Sequence, residues 1–314
     1  MKVSVLITTR NRCDDLSDCL KSLFLCRPSP FEIIVIDNDS SDKTAEMINN
    51  YYGRVKCFRE KRPGIPYGRN SSMDHASGDI LAFIDDDCIV DKNWVWFIQK
   101  TFTSEQNIIG LVGKVENYFK QNPYAIAEQC WYTYWRLKVL KSLEENQPIV
   151  SGDIIDFKNI AFKSQFIRKF RFNEKFATGI FGVEDREISR RIMSSLGDYD
   201  RIGYYPAAKV LHKNSASWQK ILKRRFVHGL EMAKFEYITG INKKTYPVIS
   251  VINLYKFVKY SVTKMLKIDN TFYKIVFILF FTLLPIVGLF GRLYFRLILI
   301  FSFEFQNQRM RPFL

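Results

Sequence analysis

The chain has 314 residues, enough to bury a large core as one big domain or two smaller ones. Its formal charge of +15 is unevenly placed: residues 1–200 hold 28 Lys and Arg against 28 Asp and Glu, whereas residues 201–314 hold 19 against four. A neutral front and a basic, partly apolar back argue against a nucleic-acid binder and point to an anionic membrane surface or an anionic substrate. Cys13, Cys19, Cys26, Cys57, Cys88 and Cys130 show no CxxC spacing, which disfavours a zinc site or a disulfide framework and suits a reducing compartment. The start, MKVSVLITTR, lacks the apolar core and cleavage site of a signal peptide, and no long repeat is evident.

Val3–Ile7 reads as a strand ending in the polar loop Thr8–Asn11. Asp14 or Asp15 can cap a helix with Leu16, Cys19, Leu20 and Leu23 on one face, closed by Pro28 and Pro30. A second strand, Ile33–Ile36, is stopped by a polar run from Asp37 to Asp42, which can hold a bend and cap a helix turning Ala45, Met47 and Ile48 inward. Val55–Phe58 is a short third strand. Gly64 and Pro66 open a helix that contains Arg69 and Asn70 and ends at Gly78. Ile80–Ile84 is an apolar run of a kind buried on both faces, and Asp85, Asp86 and Asp87 follow at once. In an extended segment Asp85 and Asp87 point one way and Asp86 the other. Paired hard oxygens suit Mg²⁺ or Mn²⁺. Taken alone, the triplet favours a solvated turn in which Asp87 or Asp91 caps the helix from Trp94. Alternating strands and helices imply a parallel sheet covered on both faces, with ligands at the carboxyl ends of its strands, where Thr8–Asn11, Asp37–Asp39 and Asp85–Asp87 lie.

Trp94, Trp96 and Phe97 read as helix core contacts, and Ile109–Val115 as another strand. The aromatic run Trp131–Trp135 suits packing more than stacking on sugar rings. Glu184 and Asp185 fall in the first turn of a helix running through Ile188–Met193. From Trp218, apolar residues at 221, 222, 226, 230, 233 and 237 advance by threes and fours, with Lys220, Lys223, Arg224 and Lys234 off the stripe.

The segments VSVLITTRNR, EIIVIDNDSSDKT, GIPYGRNSSMDHASGDILAFIDDDC and GVEDREISRRI resemble, in order and spacing, the successive motifs of family 2 glycosyltransferases of the GT-A fold, over roughly residues 1–230. The resemblance implies an α/β fold of GT-A type, a Rossmann-like and mostly parallel sheet flanked by helices; the charge and apolar runs of the tail add a C-terminal helical, membrane-associating region. It also implies a nucleotide-diphosphate sugar donor, a divalent metal (Mn²⁺ or Mg²⁺) and inversion at the anomeric carbon. By the same resemblance Asp37 binds the nucleotide base, with Thr8, Thr9, Arg10, Asn11 and Asp39 lining that pocket, and Arg69, Asp85 and Asp86 approach the nucleotide sugar. Asp87, Asp85 and His212 hold the metal. Asp185 is the general base and Glu184 binds the acceptor, a glycan or lipid-linked molecule; the residues alone leave the reverse assignment open. The loop Ser151–Asp153 and the strand Asn159–Phe162 resemble the acceptor-receiving part, and the basic segment Arg224–Gly229 a lid over the donor.

The expected division is a catalytic domain over 1–215, an amphipathic basic lid over 216–245 and membrane-associated helices over 246–314. Ile275–Gly291 is 17 uncharged residues, about 25 Å as a helix and short of a ~30 Å hydrocarbon core. Pro285, Gly288 and Gly291 interrupt it, a second apolar run spans Leu297–Phe303, and Lys264, Lys267, Lys274, Arg292, Arg296, Arg309 and Arg311 flank both. Cations on both sides suit a re-entrant hairpin or in-plane helices at the cytoplasmic face, with a single tilted span as the alternative. A polyprenyl-phosphate acceptor competes with a growing glycan. A nucleotidyltransferase would need more Lys and Arg after the first strand, and a non-catalytic scaffold would not need carboxylates at both sites.

Overall fold

The computed structural model describes residues 1–51, 53–137, 140–149, 155–177 and 183–239, and 262–294 other than 264, 267–269, 272, 280–282, 284–285 and 291. The expected features at Ser151–Asp153, Phe181–Gly182, the lysines at 264 and 267, and the run after residue 294 lie outside them. In chain order the elements are β1 (Val3–Thr9), α1 (Cys13–Phe24), β2 (Glu32–Asp37), α2 (Thr44–Asn49), β3 (Lys56–Arg59), α3 (Ile65–His75), β4 (Ile80–Ile84), β5 (Cys88–Val90), α4 (Trp94–Ser104), β6 (Ile108–Asn117), α5 (Pro123–Leu137), β7 (Gln147–Pro148), β8 (Asn159–Lys163), α6 (Ser164–Ile167), α7 (Val183–Ser194), β9 (Arg201–His212) and α8 (Trp218–Thr239).

Alternation along the apolar strands builds two cores, one on each side of the sheet. Val3, Val5 and Ile7 of β1, Ile33 and Val35 of β2, and Ile80, Ala82 and Ile84 of β4 pack with Leu16, Leu20, Trp94 and Ile98. The intervening Leu6, Ile34, Ile36, Leu81 and Phe83 pack with Met73, Ile188 and Ile192 on the other face. The strand order is β3-β2-β1-β4-β8-β6-β9-β5, with β7 paired to β9. The first four strands are parallel, as expected. Beyond β4 the sheet is mixed: β8 is antiparallel to both β4 and β6, β6 and β9 are parallel, and β5 is antiparallel to β9.

Several local expectations are corrected. Asp14 and Asp15 lie in the first turn of α1 rather than capping it; Arg12 is the N-cap residue, without a side-chain cap bond. Ala45 is exposed, and so is Trp96, beside the fully buried Trp94. Helix α3 ends at His75, before Ala76 turns extended. The Asp triplet is a turn between β4 and β5, closed by the Cys88 N–H donating to the Asp85 carbonyl, not an extended segment. Asp91 introduces α4, its carboxylate and carbonyl accepting the Asn93 and Trp94 N–H groups, although Asn93 is the N-cap residue. On α8, Ile221 and Ala233 are buried, but Trp218 and Tyr237 of the expected stripe are exposed. No disulfide joins the six cysteines, and Cys19, Cys26, Cys88 and Cys130 are buried.

Residues 1–118, 131–178 and 184–214 form one unit, which carries the sheet; 119–130, 179–183 and 215–314 form a second. Within the second, Arg224 of α8 pairs with Glu128 at 2.7 Å and Glu236 with Arg292 at 2.9 Å. Gly229 lies so close to the Gly288 backbone that any Cβ would overlap its carbonyl. Among the described residues no helix is long and apolar enough to cross a membrane.

One bulge positions the site. The β6–β9 register jumps from Gly113↔Tyr205 to Lys114↔Lys209, so residues 206–208 of β9 have no partner on β6. The buried Asn159 side chain repairs the gap. Its Nδ2 donates to the Ala208 carbonyl at 2.8 Å and the Lys114 carbonyl at 3.0 Å, and its Oδ1 accepts the Trp94 indole N–H at 2.9 Å. Replacing Asn159 by Leu leaves three buried polar groups unpaired and is expected to cost about 3 kcal/mol or more in denaturant unfolding. A loss below about 1 kcal/mol would show that the bulge does not depend on this side chain.

Candidate active site

The turn after β4 packs three carboxylates into a small volume, and cations from separate elements answer them. Asp86 is buried and accepts the Thr9 hydroxyl at 2.7 Å and the Arg12 guanidinium at 3.1 Å. Arg12 also donates to Asp87 Oδ2 at 2.5 Å. Burial pushes Asp86 upward against Arg12. Burial also opposes the charge on Asp87, yet His212 and Arg12 hold its carboxyl well below the usual range. Arg12 escaped notice as a site residue in the sequence, although it falls within the first motif.

Asp87 Oδ1 is buried and without a hydrogen-bond partner. His212 Nε2 lies 3.2 Å from it, outside hydrogen-bond geometry. The antiparallel pairing of β5 with β9 sets Cys88 opposite His212, which is why a residue so distant in sequence reaches the triplet. His212 Nδ1 sits 2.7 Å from Asn214 Oδ1; with Nδ1 donating there, the Nε2 lone pair faces Asp87. Burial pulls the imidazolium down, Asp87 pulls it up, and the net direction is up. Ligand atoms of Asp85, Asp87 and His212 all lie within 4.8 Å of one another. Two carboxylates, an orphaned buried oxygen and an oriented imidazole fit a divalent cation.

Beside this cluster lies a second, and Arg69 joins them. Held on α3 and flanked by the Phe157 and Phe172 rings at 5.3 Å each, its buried guanidinium reaches Asp85 at 3.5 Å and Glu184 at 3.5 Å, and forms a short contact with Asp185. Gly68 lets this helix approach β1, since a Cβ there would overlap the Thr8 methyl. Glu184 and Asp185 occupy the first turn of α7, and the Phe157 N–H lies 3.4 Å from Asp185 Oδ2. Burial raises both carboxyls against Arg69, and Glu184 is pushed up to about 7. Arg69 thus pairs with Asp85, Glu184 and Asp185, partners that the sequence reading did not give it.

The β1–β2 end is a third, separate group. Asp37 faces Thr9 across the strand register, is buried, and accepts the Ser40 N–H at 3.0 Å. Asn11 Oδ1 accepts the Ser41 N–H at 2.7 Å, Asp39 pairs with Arg59 at 2.6 Å, and Arg10 is exposed. Thr8 Oγ1 is buried without a partner. Asn38, which sequence reasoning passed over, ties the loop together by accepting the Gly64 N–H at 2.8 Å and donating to the Arg62 carbonyl at 2.7 Å.

Glu184 gives a signed pH dependence. Its folded pKa of about 7 exceeds the ordinary 4.5, so the stability it lends is complete below the lower value and lost as pH rises through the higher. Without Arg69 the ionised carboxylates face one another uncompensated. Arg69→Met should therefore lower the melting temperature more at about pH 8 than at about pH 5.5. Melts showing an equal deficit at both would mean that Arg69 acts by packing alone.

The sequence profile described as Glycosyl transferase family 2 matches residues 4–173, more than half of the chain. Glycosyltransferase GlyA of Streptococcus pneumoniae is 22% identical over 275 residues, covering 81% of this chain and 37% of that protein, so the chain spans well under half of this relative's length. The GalNAc(5)-diNAcBac-PP-undecaprenol beta-1,3-glucosyltransferase of Campylobacter jejuni is 28% identical over 189 residues, 56% of either protein. Among solved structures, the mannosyltransferase PcManGT of Pyrobaculum calidifontis in complex with GDP-Man and Mn²⁺ superimposes with a TM-score of 0.57 at 13% identity, covering 93% of this chain and 87% of that one.

Proposed function

The chain belongs to glycosyl transferase family 2, and from that premise we propose that it moves a sugar, with inversion, from a nucleoside-diphosphate sugar to an acceptor hydroxyl. The acceptor is a growing glycan or a lipid-linked saccharide of bacterial surface polysaccharide or glycolipid synthesis; the Campylobacter relative's name carries a saccharide linked to undecaprenol. One observation carries the reading: the cation-competent cluster Asp85–Asp87–His212 and the carboxylate pair Glu184–Asp185 adjoin across a single guanidinium. Charge neutralisation for a diphosphate and a proton acceptor for a hydroxyl are the two things such a transfer needs.

In this mechanism Asp37 holds the nucleotide base at the end of β2, with Thr8, Thr9, Arg10, Asn11 and Asp39 around it. Asp85, Asp87 and His212 hold Mn²⁺ or Mg²⁺, which supplies the positive charge that makes the diphosphate a competent leaving group. Asp86 stays with Thr9 and Arg12 and keeps the turn in shape. Asp185 is the base, because its side chain is 12% exposed against 3% for Glu184, and Arg69 fixes its orientation. The acceptor oxygen bonds to the anomeric carbon as the bond to the diphosphate oxygen breaks, and the hydroxyl proton passes to Asp185. A single displacement inverts the centre. Glu184 meets the acceptor from beside the base.

Asp185→Asn keeps the shape and cannot take the proton, so turnover should fall on the order of a hundredfold or more with donor binding little changed. Turnover assays with donors screened across UDP- and GDP-sugars check this. A mild Asp185→Asn alongside a severe Glu184→Gln would reverse the two roles.

The tail is proposed to lie in the plane of an anionic membrane at its cytoplasmic face. Ile275, Leu279, Leu283, Ile286, Phe290 and Leu293 recur at three- and four-residue spacing and are 43 to 60% exposed, while Phe277 is buried. An apolar stripe of this length is larger than a soluble monomer ordinarily leaves in water, and the whole charge excess falls after residue 200. Full-length protein should sediment with phosphatidylglycerol vesicles, less so as salt rises, and Leu279→Glu/Ile286→Glu should abolish sedimentation without changing donor binding. Equal sedimentation of the double variant would remove the stripe from the account.

A further inference from the structure

Next to the base lies a second charged cluster that the transfer reaction leaves unused. Arg136 of α5 is 4% exposed, and its Nε and Nη1 have no hydrogen-bond partner. Its Nη2 donates to the Tyr132 hydroxyl and lies 3.9 Å from Asp156 Oδ2, beyond hydrogen-bond reach. Asp156 is already taken, since Lys158 Nζ donates to the same Oδ2 at 3.0 Å and the Lys158 N–H to Oδ1 at 2.9 Å. Both cations lie over one ring, that of Tyr132, at 4.5 Å for Arg136 and 5.3 Å for Lys158. Tyr132 gives no counter-charge, because burial raises its phenol well above the ordinary value. Among the described residues Arg136 thus has only a shared carboxylate, Asp156, beside it, whereas Lys158 also faces Asp85, and the largely buried guanidinium keeps its Nε and Nη1 unmet. Desolvating such a group without an acceptor is costly, and a fold with no use for it gains by putting an apolar side chain there.

The cluster also has an address. Asp156 precedes Phe157, whose N–H faces Asp185 Oδ2 and whose ring flanks Arg69. Arg136 is therefore on the side of the base, while Lys158 lies within electrostatic reach of both Asp185 and the Asp85–His212 pole. We infer that Arg136, with Lys158 and Tyr132, is a subsite for an anionic oxygen group, a phosphate or carboxylate, carried by the acceptor. The inference rests on the proposed transferase reading, which supplies the acceptor. The unmet Nε and Nη1 donors lie on different edges of the planar guanidinium, so each can give one hydrogen bond to an oxygen of such a group, with Lys158 as a second cation beside them. A neutral saccharide offers nothing to satisfy it.

The test uses the full chain and Arg136→Met, with Arg136→Lys as the conservative variant. Without ligand, Arg136→Met should melt higher than the natural protein, by roughly 2–4 °C, because it removes an unbalanced buried charge. An equal or lower melting temperature would make Arg136 a structural cation and overturn the inference. With Mg²⁺ and saturating UDP or GDP filling the donor pole, methyl phosphate or glucuronate should raise the melting temperature further in the natural chain and in Arg136→Lys. Arg136→Met should lose that increment and keep the one from the nucleotide. An increment that persists in Arg136→Met, is matched by glucose, or fails with both anions overturns the subsite. Absence of any nucleotide increment would instead count against the transferase reading itself.

Discussion

Like charge at the end of one strand is the constraint from which the rest of this site follows. Three successive carboxylates close β4, and Glu184 and Asp185 add two more within reach of the same guanidinium. Burying ions costs several kcal/mol each unless partners surround them. Arg12 from the loop after β1 answers Asp86 and Asp87, Arg69 from α3 answers Asp85 and the α7 pair, and His212 from β9 faces what remains of Asp87. That oxygen, Asp87 Oδ1, has His212 Nε2 at 3.2 Å but no hydrogen bond. Charge concentrated in this way is a feature of sites that bind cations and move protons.

The topology supplies these partners from both halves of the sheet. Its parallel half sets the ends of β1, β2 and β4 side by side, which brings Thr9 next to Asp37 and the β1 loop next to Asp86. The mixed half folds back so that β9 runs antiparallel beside β5 and delivers His212 opposite Cys88. A bulge in β9 makes that delivery possible, and Asn159 satisfies the carbonyl it exposes. Packing thus reaches the chemistry through one buried amide.

Much of this was legible in the chain. Val3–Ile7, Ile33–Ile36 and Ile80–Ile84 are apolar on both faces, so their place in the parallel centre followed from composition, and the polar residues after each marked the ligand edge. Asp85 and Asp87 were paired on one side by assuming an extended segment; they do meet one ligand set, but through a turn. The pairing of Arg69 with Glu184 and Asp185 was not legible, because these partners are more than a hundred residues away. Arg136, Asp156 and Lys158 carried no local signal, and Arg12 and Asn38, although inside the motifs, were not singled out. A lone cation between polar neighbours looks solvated until the fold shows which carboxylate it faces. Trp96 failed for a simpler reason: hydrophobicity alone does not say which aromatic in a short helix turns inward.

The central claim is that Asp85, Asp87 and His212 together hold the divalent cation through which a nucleoside diphosphate binds. Calorimetric titration of UDP and GDP into the protein, with Mn²⁺ and then with EDTA, tests it most directly. The account predicts saturable binding of one nucleotide with Mn²⁺, lost in EDTA and lost equally in His212→Ala with Mn²⁺ present. Binding of the same strength in EDTA, or undiminished in His212→Ala, would contradict it.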